Sequence, residues 1–382
     1  MQTLTHQHAR TLAVDRSESL ITLLKALVEM PTITTDRVAN RAAIAWIKQL
    51  VHALPLLVSD FKYKDYEALI LTTRQTKRPK VLLSAHIDVI PADPREFVFR
   101  EENGRYYGRG TFDMKFAAAT YLDLLLKLGD KLPQYDLGVV FTTDEEVTAG
   151  AEGAGPLVEA GWGGGVIINP DAVTPSWTIQ RAGKGLIRYS VTCEGESGHG
   201  SRTWMHKNAI IGIMDYLHDL RAQFPKEPCG DEEHAHDTLN IGLIHGGQIV
   251  NQIAENAYAE IDVRITPGLT FEEMTRRIEQ LRSKHPGIKL NRLIASDPVV
   301  LDLNLPYVKQ LQAIITKVTG NTNKPHLAHG GSEASFYAAR GMPVLLFEGP
   351  GGNNHASGEW LDAAGLEQFS EIIRLFVEQE AR

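Results

Sequence analysis

The segment LGVVFTTDEEVTAG, residues 137–150, joins an apolar run to three consecutive acidic residues. LGVVF has the composition of a buried β-strand, and Asp144, Glu145 and Glu146 follow where that strand would end. Neighbouring carboxylates repel one another, so leaving three of them unpaired at the end of a core strand would be unfavourable. The segment therefore predicts a buried strand whose end requires a compensating positive charge.

Strand and helix patterns alternate on both sides of this segment. Short apolar runs predict strands, and segments with apolar residues spaced three and four apart predict helices. The predicted strands are residues 80–85, 137–143, 165–169 and 343–349, and the predicted helices are residues 19–30, 41–54, 116–129, 306–320 and 366–381. This alternation is typical of an α/β fold in which a mostly parallel sheet has helices on both faces.

A different pattern occupies the stretch between residues 184 and 292. Its predicted elements are strands at residues 185–195, 237–247, 257–265 and 288–295, and helices at residues 208–224 and 271–284. The order β-α-β-β-α-β is that of the ferredoxin-like motif. We therefore predict a large α/β domain formed by residues 1–183 and 293–382, with a small α+β domain inserted between them at residues 184–292.

Composition excludes several classes of protein. The net charge of −8 and the pI near 6.0 do not suit a nucleic acid or an anionic membrane, because both attract basic surfaces. No apolar run reaches the roughly 18 residues of a membrane span, and the N-terminus has no apolar core of a secretory signal. Two cysteines, Cys193 and Cys229, are too few for a disulfide framework. We therefore expect a cytoplasmic protein.

Metal-binding residue types follow the predicted strands of the large domain or precede its helices. In open α/β sheets, ligands bind beyond the carboxyl ends of the strands, so these side chains are expected to meet. They are His86, Asp88, Asp113, Asp144, Glu145, Glu146, Asp171 and His355. Imidazole nitrogens and carboxylate oxygens together suit zinc, cobalt or manganese. The sequence therefore predicts a metal site at this edge of the sheet.

Each of these residues also has an ordinary alternative. A single loop histidine such as His355 is usually solvated, Asp113 has the position of a helix cap, and a pair of glutamates usually forms an exposed face. The conjunction of several ligand types, each after a predicted strand or glycine turn, favours the metal site.

Eight segments, in order along the chain, carry a resemblance to a known family. They are LVEMPT (27–32), SAHIDVIP (84–91), YGRGTFDMK (107–115), TTDEE (142–146), INPDA (168–172), ESGHGS (196–201), GGSEASF (330–336) and GPGGNNH (349–355). With them the chain resembles the two-metal aminoacylase/carboxypeptidase family, which includes acetylornithine deacetylase, succinyl-diaminopimelate desuccinylase and bacterial di- and tripeptidases. The resemblance implies a zinc-exopeptidase-like catalytic domain and an inserted dimerisation (lid) domain.

The resemblance also implies a site with two divalent metals, of which zinc is expected first. His86, Asp113 and Asp171 would hold one metal. Asp113, Glu146 and His355 would hold the other, so that Asp113 bridges the pair. A water molecule between two such metals becomes a hydroxide nucleophile at neutral pH. The family also implies a cis peptide bond after the bridging residue, between Asp113 and Met114.

Further roles follow from the same resemblance. Glu145 would move protons as the general base and acid. Asp88 would orient His86, and the spacing supports this because residues i and i+2 of an extended segment face the same way. His199 would stabilise an oxyanion in the site of a neighbouring subunit, which requires a homodimer. The expected substrate-binding residues are Asn251, Arg264, Gly331 and Ser332.

These expectations describe an enzyme that hydrolyses the amide bond of N-acyl amino acids or small peptides with a free carboxylate. A deacylase and a dipeptidase or carboxypeptidase of the same family are not separated by these residues. A non-catalytic metal-binding scaffold of the same fold is the alternative from another class. A phosphoester hydrolase is disfavoured because the motifs contain few basic residues. The sequence gives no role to Asp144 or Glu333.

Overall fold

The structure is a computed structural model that describes residues 19–171, 176–226 and 233–382. The N-terminal stretch predicted to lack a secretory signal, Ala172 of the INPDA segment and Cys229 lie outside these residues. Within the described ranges, no helix combines the length and the apolar composition needed to cross a membrane.

The described residues form ten α-helices, most of them amphipathic. They are α1 (Leu20–Val28), α2 (Arg37–Val51), α3 (Lys115–Leu128), α4 (Glu145–Thr148), α5 (Ala154–Glu159), α6 (Ala209–Arg221), α7 (Phe271–Arg282), α8 (Pro306–Thr319), α9 (Ala334–Ala338) and α10 (Ala363–Glu380).

The same part of the chain contains nineteen strands. They are β1 (Leu57–Tyr63), β2 (Tyr66–Thr72), β3 (Val81–His86), β4 (Arg100–Glu102), β5 (Arg105–Tyr107), β6 (Leu137–Thr142), β7 (Val166–Ile168), β8 (Gln180–Gly183), β9 (Gly185–Glu194), β10 (Gly198–His199), β11 (Thr238–Gly246), β12 (Gln252–Ile253), β13 (Asn256–Ile265), β14 (Ile288–Ser296), β15 (Val299–Val300), β16 (His326–Ala328), β17 (Val344–Leu345), β18 (Gly351–Gly352) and β19 (Trp360–Asp362).

The main sheet has six strands in the order β1-β2-β6-β3-β7-β17. The four strands β6, β3, β7 and β17 are parallel, whereas β1 and β2 form an antiparallel edge. The parallel strands run as the sequence predicted, so their carboxyl ends meet at one edge of the sheet. In the register of β3 and β6, His86 lies opposite Thr142.

The main sheet is packed on both faces, as its strand sequences require. Alternate residues of β3, such as Leu83 and Ala85, belong to a core shared with α1, α2, α3, α8 and α10. The intervening residue Leu82 belongs to a second core, which includes residues of α5 and α9. Successive side chains of a strand point to opposite faces, so a strand buried on both faces is apolar throughout.

The predicted insert has the expected order of elements. β9, α6, β11, β13, α7 and β14 occur in this order, with the two-residue strands β10 and β12 between them. The four long strands form an antiparallel sheet in the order β11-β13-β9-β14. Its apolar residues form a cluster of their own with α6 and α7, which includes Val191, Ile213 and Ile278. The exact boundaries of this domain stay a prediction.

Three details differ from the sequence-based expectations. The antiparallel hairpin β1–β2 was not predicted, because β1 is largely exposed and lacks an apolar run. Helix α2 begins at Arg37 rather than at residue 41, since the Asp36 side chain accepts hydrogen bonds from the amides of Val38 and Ala39, both at 3.0 Å. The last predicted strand, residues 343–349, is shorter than expected, because only Val344–Leu345 (β17) are paired as a strand.

Candidate metal centre

The ends of three neighbouring strands bring the first candidate ligands together. β3 ends at His86, β6 is followed by the short helix α4 that begins with Glu145, and β7 is followed by Asp171. One ligand atom from each of His86, Glu145 and Asp171 lies within 4.8 Å of the others. Asp113, Glu146 and His355 form a second group by the same measure.

Asp113 connects the two groups. Its Oδ1 lies 3.2 Å from Nε2 of His86, and its Oδ2 lies 3.1 Å from Nε2 of His355. The same His355 nitrogen is 2.8 Å from Oε2 of Glu146. The Asp113–Met114 peptide bond is cis, as expected. Asp113 therefore occupies the position that a bridging ligand needs, and its role as a ligand stays a prediction.

A buried glutamate that the sequence analysis missed fixes the loop before Asp113. Glu359 is fully buried and accepts hydrogen bonds from the amides of Gly110, Phe112 and Asp113 at 2.8–2.9 Å. Its Oε2 also lies 2.7 Å from Nη1 of Arg109, which is itself buried. Glu359 follows His355 by four residues, but no sequence pattern marked it as the partner of a loop 250 residues away.

Asp88 contacts Thr34 and the segment that carries Glu145 and Glu146. Its contact with His86 differs from the expected one. Nδ1 of His86 lies 3.0 Å from the backbone carbonyl oxygen of Asp88 and 3.6 Å from the carboxylate. The carboxylate instead accepts hydrogen bonds from the amides of Glu145 and Glu146, at 3.3 and 3.2 Å, and from Thr34 Oγ1 at 2.8 Å. A proton on Nδ1 bonded to the carbonyl leaves the lone pair on Nε2 facing Asp113.

The residues fit a pair of divalent cations. Nε2 of His86, Oε1 of Glu146 and Oδ2 of Asp171 are shielded from solvent and have no hydrogen-bond partner. Buried polar atoms normally have a partner, and a nitrogen and oxygen set of this kind is typical of zinc, cobalt or manganese ligands. Metal ions would satisfy these atoms.

Without a cation, the local electrostatics oppose ionisation of Asp171 and Glu145. Burial and the charge of Asp113 raise the pKa of Asp171 to about 8. Burial and the charge of Asp171 also raise the pKa of Glu145 well above its usual value. The repulsion anticipated from the acidic triplet is therefore present, and positive charge at this edge of the sheet would relieve it.

Asp144, the first residue of the acidic triplet, makes hydrogen bonds within its own segment. Its Oδ2 accepts hydrogen bonds from Thr148 Oγ1 at 2.6 Å and from the amide of Glu152 at 2.9 Å. Burial raises the pKa of Asp144 to about 7. Asp144 belongs to neither candidate ligand group, and its hydrogen bonds hold the loop after α4.

The residue expected to stabilise the oxyanion and those expected to bind substrate lie on separate segments. His199 is exposed on β10 and its Nδ1 lies 2.8 Å from Ser201 Oγ. Asn251 is exposed, and its carbonyl oxygen accepts a hydrogen bond from the amide of Gly200. The Arg264 guanidinium donates two hydrogen bonds to the carboxylate of Asp262, at 2.6 and 3.2 Å.

Gly331 and Ser332 lie in the loop between β16 and α9. Gly331 is exposed, with open space where a side chain would project. Ser332 Oγ accepts a hydrogen bond from the amide of Ala334 at 3.3 Å, at the start of α9. Their roles, like those of His199, Asn251 and Arg264, stay predictions.

A largely parallel sheet with such a residue set at the carboxyl ends of its strands is the architecture of a hydrolytic metalloenzyme. Residues 82–379 match the sequence profile of peptidase family M20/M25/M40, so the chain belongs to this family. Acetylornithine deacetylase of Proteus mirabilis is 25% identical over 382 residues, which cover 94% of this chain and 96% of that protein. Acetylornithine deacetylase of Yersinia pseudotuberculosis is 28% identical over 390 residues, with the same coverage.

Solved structures share the fold. A tripeptidase from Staphylococcus aureus superimposes with a TM-score of 0.76 at 20% identity, covering 96% of this chain and 100% of that one. A dinuclear metal-binding peptidase of family M20 from Bacillus subtilis gives a TM-score of 0.64 at 16% identity, covering 94% of this chain and 96% of that one. The comparisons thus confirm the family and the hydrolytic class that the sequence motifs predicted.

Proposed function

We propose that this enzyme hydrolyses the amide bond of N-acyl amino acids or small peptides that carry a free carboxylate. The observation that carries the proposal is the position of Asp113, whose two carboxylate oxygens contact His86 and His355 from the two ligand groups. The similarity to acetylornithine deacetylases over 94% of the chain supports the deacylase as the first activity to test.

Two divalent cations complete the proposed site. His86, Asp113 and Asp171 would hold one, and Asp113, Glu146 and His355 would hold the other. When bound, such a pair polarises the scissile carbonyl and makes water a stronger acid. Zinc is the first candidate for the metal, and cobalt and manganese have similar ligand preferences.

The chain's own residues move the protons. The carboxylate of Glu145 takes a proton from the attacking water and returns it to the nitrogen of the leaving amine. The backbone of Glu145 is held by the Asp88 carboxylate through its amide. The positions of Glu145 and its neighbour therefore depend on the same anchor, which keeps the base and the candidate ligand Glu146 in a fixed relation.

Substrate binding is assigned to four residues, and stabilisation of the oxyanion to His199. Arg264 would bind the free carboxylate of the substrate, which would have to compete with Asp262 for the guanidinium. His199 would stabilise the oxyanion, while Asn251, Gly331 and Ser332 would contact the rest of the substrate. The exposed position of His199 suits a residue that acts on a neighbouring subunit.

A homodimer through the insert accompanies this proposal. Strand β11 is at the edge of its sheet, with unpaired backbone groups along one side. Two of its apolar side chains, Leu243 and Ile244, are more than half exposed, as are Ile211 and Met214 on α6. An exposed sheet edge with neighbouring apolar side chains favours pairing with a second copy of the same surface.

The proposal is tested by a screen of N-acyl amino acids and dipeptides with zinc- or cobalt-loaded enzyme. Chelation should abolish hydrolysis and added metal should restore it. Preference for N-acetylated amino acids identifies a deacylase, and preference for dipeptides identifies a peptidase. Undiminished hydrolysis by the metal-free enzyme would contradict the mechanism. Metal binding with no turnover of any member of either series would favour the non-catalytic scaffold.

A further inference from the structure

Glu333 is a buried carboxylate that links the three strands carrying the first candidate ligands. Its side chain is fully buried. Oε1 accepts hydrogen bonds from Ser84 Oγ at 2.8 Å and from Asn169 Nδ2 at 3.0 Å, and Oε2 accepts one from Thr142 Oγ1 at 2.7 Å. One carboxylate therefore satisfies donors on, or directly after, β3, β6 and β7, which are neighbours in the sheet.

Each of these donors precedes a residue of the metal centre. Ser84 stands two residues before His86, and Asn169 stands two residues before Asp171. Residues two apart on a strand face the same side, so Ser84 and His86 share a face of β3, while Asn169 and Asp171 lie in the segment directly after β7. Thr142 ends β6 immediately before the segment that carries the adjacent glutamates.

The turn after α4 also packs on Glu333. Gly150 has a φ of +79°, and a Cβ built on it would lie only 2.6 Å from Cβ of Glu333. Helix α4 begins at Glu145, so the segment that carries the two adjacent glutamates is in contact with Glu333 at its far end. All three strand connections of the metal centre thus converge on one side chain.

We propose that Glu333 is a positioning residue that sets the relative placement of His86, Asp171 and the Glu145–Glu146 pair by tying their three segments together. The contacts suit an ionised carboxylate. It offers two oxygens that only accept hydrogen bonds, which matches three buried donors. Glutamine would turn one of these acceptors into a donor, and aspartate would be too short to reach all three. An apolar side chain would leave every donor unpaired.

The substitution E333Q tests this assignment, because it keeps the size of the side chain. We expect metal affinity to fall by about 10–100-fold, the range found when groups that orient metal ligands are removed. The absorption bands of the cobalt-loaded protein should also shift, since they report the arrangement of the ligands. Wild-type affinity and an unchanged cobalt spectrum in E333Q would overturn the proposal.

A matched control separates positioning from loss of stability. Thr73 Oγ1 donates to the backbone carbonyl oxygens of Tyr135 and Leu137, at the opposite end of β6. Thr73→Val removes a hydrogen-bonded hydroxyl of the same sheet, so it should lower the melting temperature while leaving metal affinity and the cobalt spectrum unchanged. An equal loss of metal affinity in Thr73→Val would mean that general destabilisation explains both variants, which would overturn the proposal.

Substitutions of the residues that donate hydrogen bonds to Glu333 test the proposal even if E333Q fails to fold. Ser84→Ala and Asn169→Ala each remove one contact and should each cause a smaller loss of metal affinity than the loss of the carboxylate. If E333Q does fold, adding Ser84→Ala to it should have little further effect, because the two changes break the same interaction. Wild-type affinity in both donor variants would contradict the assignment.

These measurements need no substrate, although they rest on the proposed metal centre. If the wild-type protein binds no divalent metal, the proposed function itself fails. If the wild-type protein binds metal and E333Q binds it equally well, only the positioning role fails.

Discussion

At the scale of single residues, the two adjacent glutamates belong to different ligand groups. Glu145 lies with His86 and Asp171, whereas Glu146 lies with Asp113 and His355. Both are the first residues of a short helix, where successive side chains diverge by roughly 100°. Adjacency therefore places one carboxylate in each half of the centre, which two residues on the same face could not achieve.

The roles proposed for the two glutamates predict different consequences. Because Glu145 is assigned proton transfer and not metal binding, Glu145→Ala should lower kcat by about 10²–10⁴-fold, the usual contribution of a general acid–base group, and leave two metals per chain. Glu146→Ala should lose one metal because it removes a candidate ligand. Metal content by mass spectrometry, measured beside kcat, distinguishes the two. Equal metal loss in both variants would show that the roles are wrongly divided.

The sequence predicted the members of this centre better than it predicted their contacts. His86, Asp113, Glu145, Glu146, Asp171 and His355 were identified from their positions after strands and turns, and the structure brings them together. The spacing of His86 and Asp88 suggested a carboxylate contact, yet a backbone carbonyl is closer. Side-chain spacing does not reveal where backbone carbonyls point, and it does not reveal partners such as Glu359 that are distant in the chain.

At the scale of elements, helices and buried strands followed the sequence patterns closely. α8 was predicted at residues 306–320 and is found at Pro306–Thr319. The edge hairpin β1–β2 was missed because its outer strand packs little apolar surface. Strand β17 contains only the two residues that pair with β7, Val344 and Leu345. Pairing at edges and strand ends depends on neighbours that a local pattern does not contain.

The loop before α3 provides a prediction at this scale. Glu359→Ala would leave Arg109 buried without its charged partner and would release three backbone amides. Breaking a buried ion pair on one side costs about 3–5 kcal/mol, so the free energy of unfolding should fall by that amount. Denaturant unfolding monitored by circular dichroism measures the change.

The control for this change is an exposed ion pair. Glu371 pairs with Arg374 on the surface of α10. Glu371→Ala should cost no more than about 1 kcal/mol, because water screens such pairs. A similar loss in both variants would mean that the loop before α3 does not depend on Glu359.

At the scale of the whole molecule, the exposed apolar side chains of the insert predict that the protein forms a homodimer. Met214→Arg with Leu243→Arg places two charges on the proposed contact surface of α6 and β11. We expect the dimer to dissociate, because burying unpaired charges at an interface is unfavourable. Sedimentation equilibrium gives the mass directly. A wild-type protein that is monomeric at the concentrations of the assay would contradict the proposed dimer.

The stability of the folded chain should depend on pH, and bound metal should change that dependence. The folded-state pKa of Asp171 is raised from 3.8 to about 8. A carboxyl whose pKa is raised by folding contributes stability that is complete below its unfolded pKa and is lost as the pH rises through its folded pKa. Melting temperatures of the metal-free protein should therefore fall between about pH 4 and pH 8.

Bound metal should remove most of this dependence, because the cations stabilise the ionised carboxylates. Thermal melts with and without zinc across the same pH range provide the comparison. A metal-free protein that becomes more stable as the pH rises would contradict the electrostatic account of the centre.

The two points where the chain enters and leaves the insert lie side by side. β8 ends at Gly183, next to the predicted start of the insert at residue 184, and β15 begins at Val299, shortly after β14 ends at Ser296, with Gly183 and Val299 paired in antiparallel register. Paired strands of this kind are ordinarily joined by loops of two to five residues. A short turn should therefore be able to replace the whole segment between these two strands. A gene with that replacement should still encode the large domain, with its candidate metal centre intact.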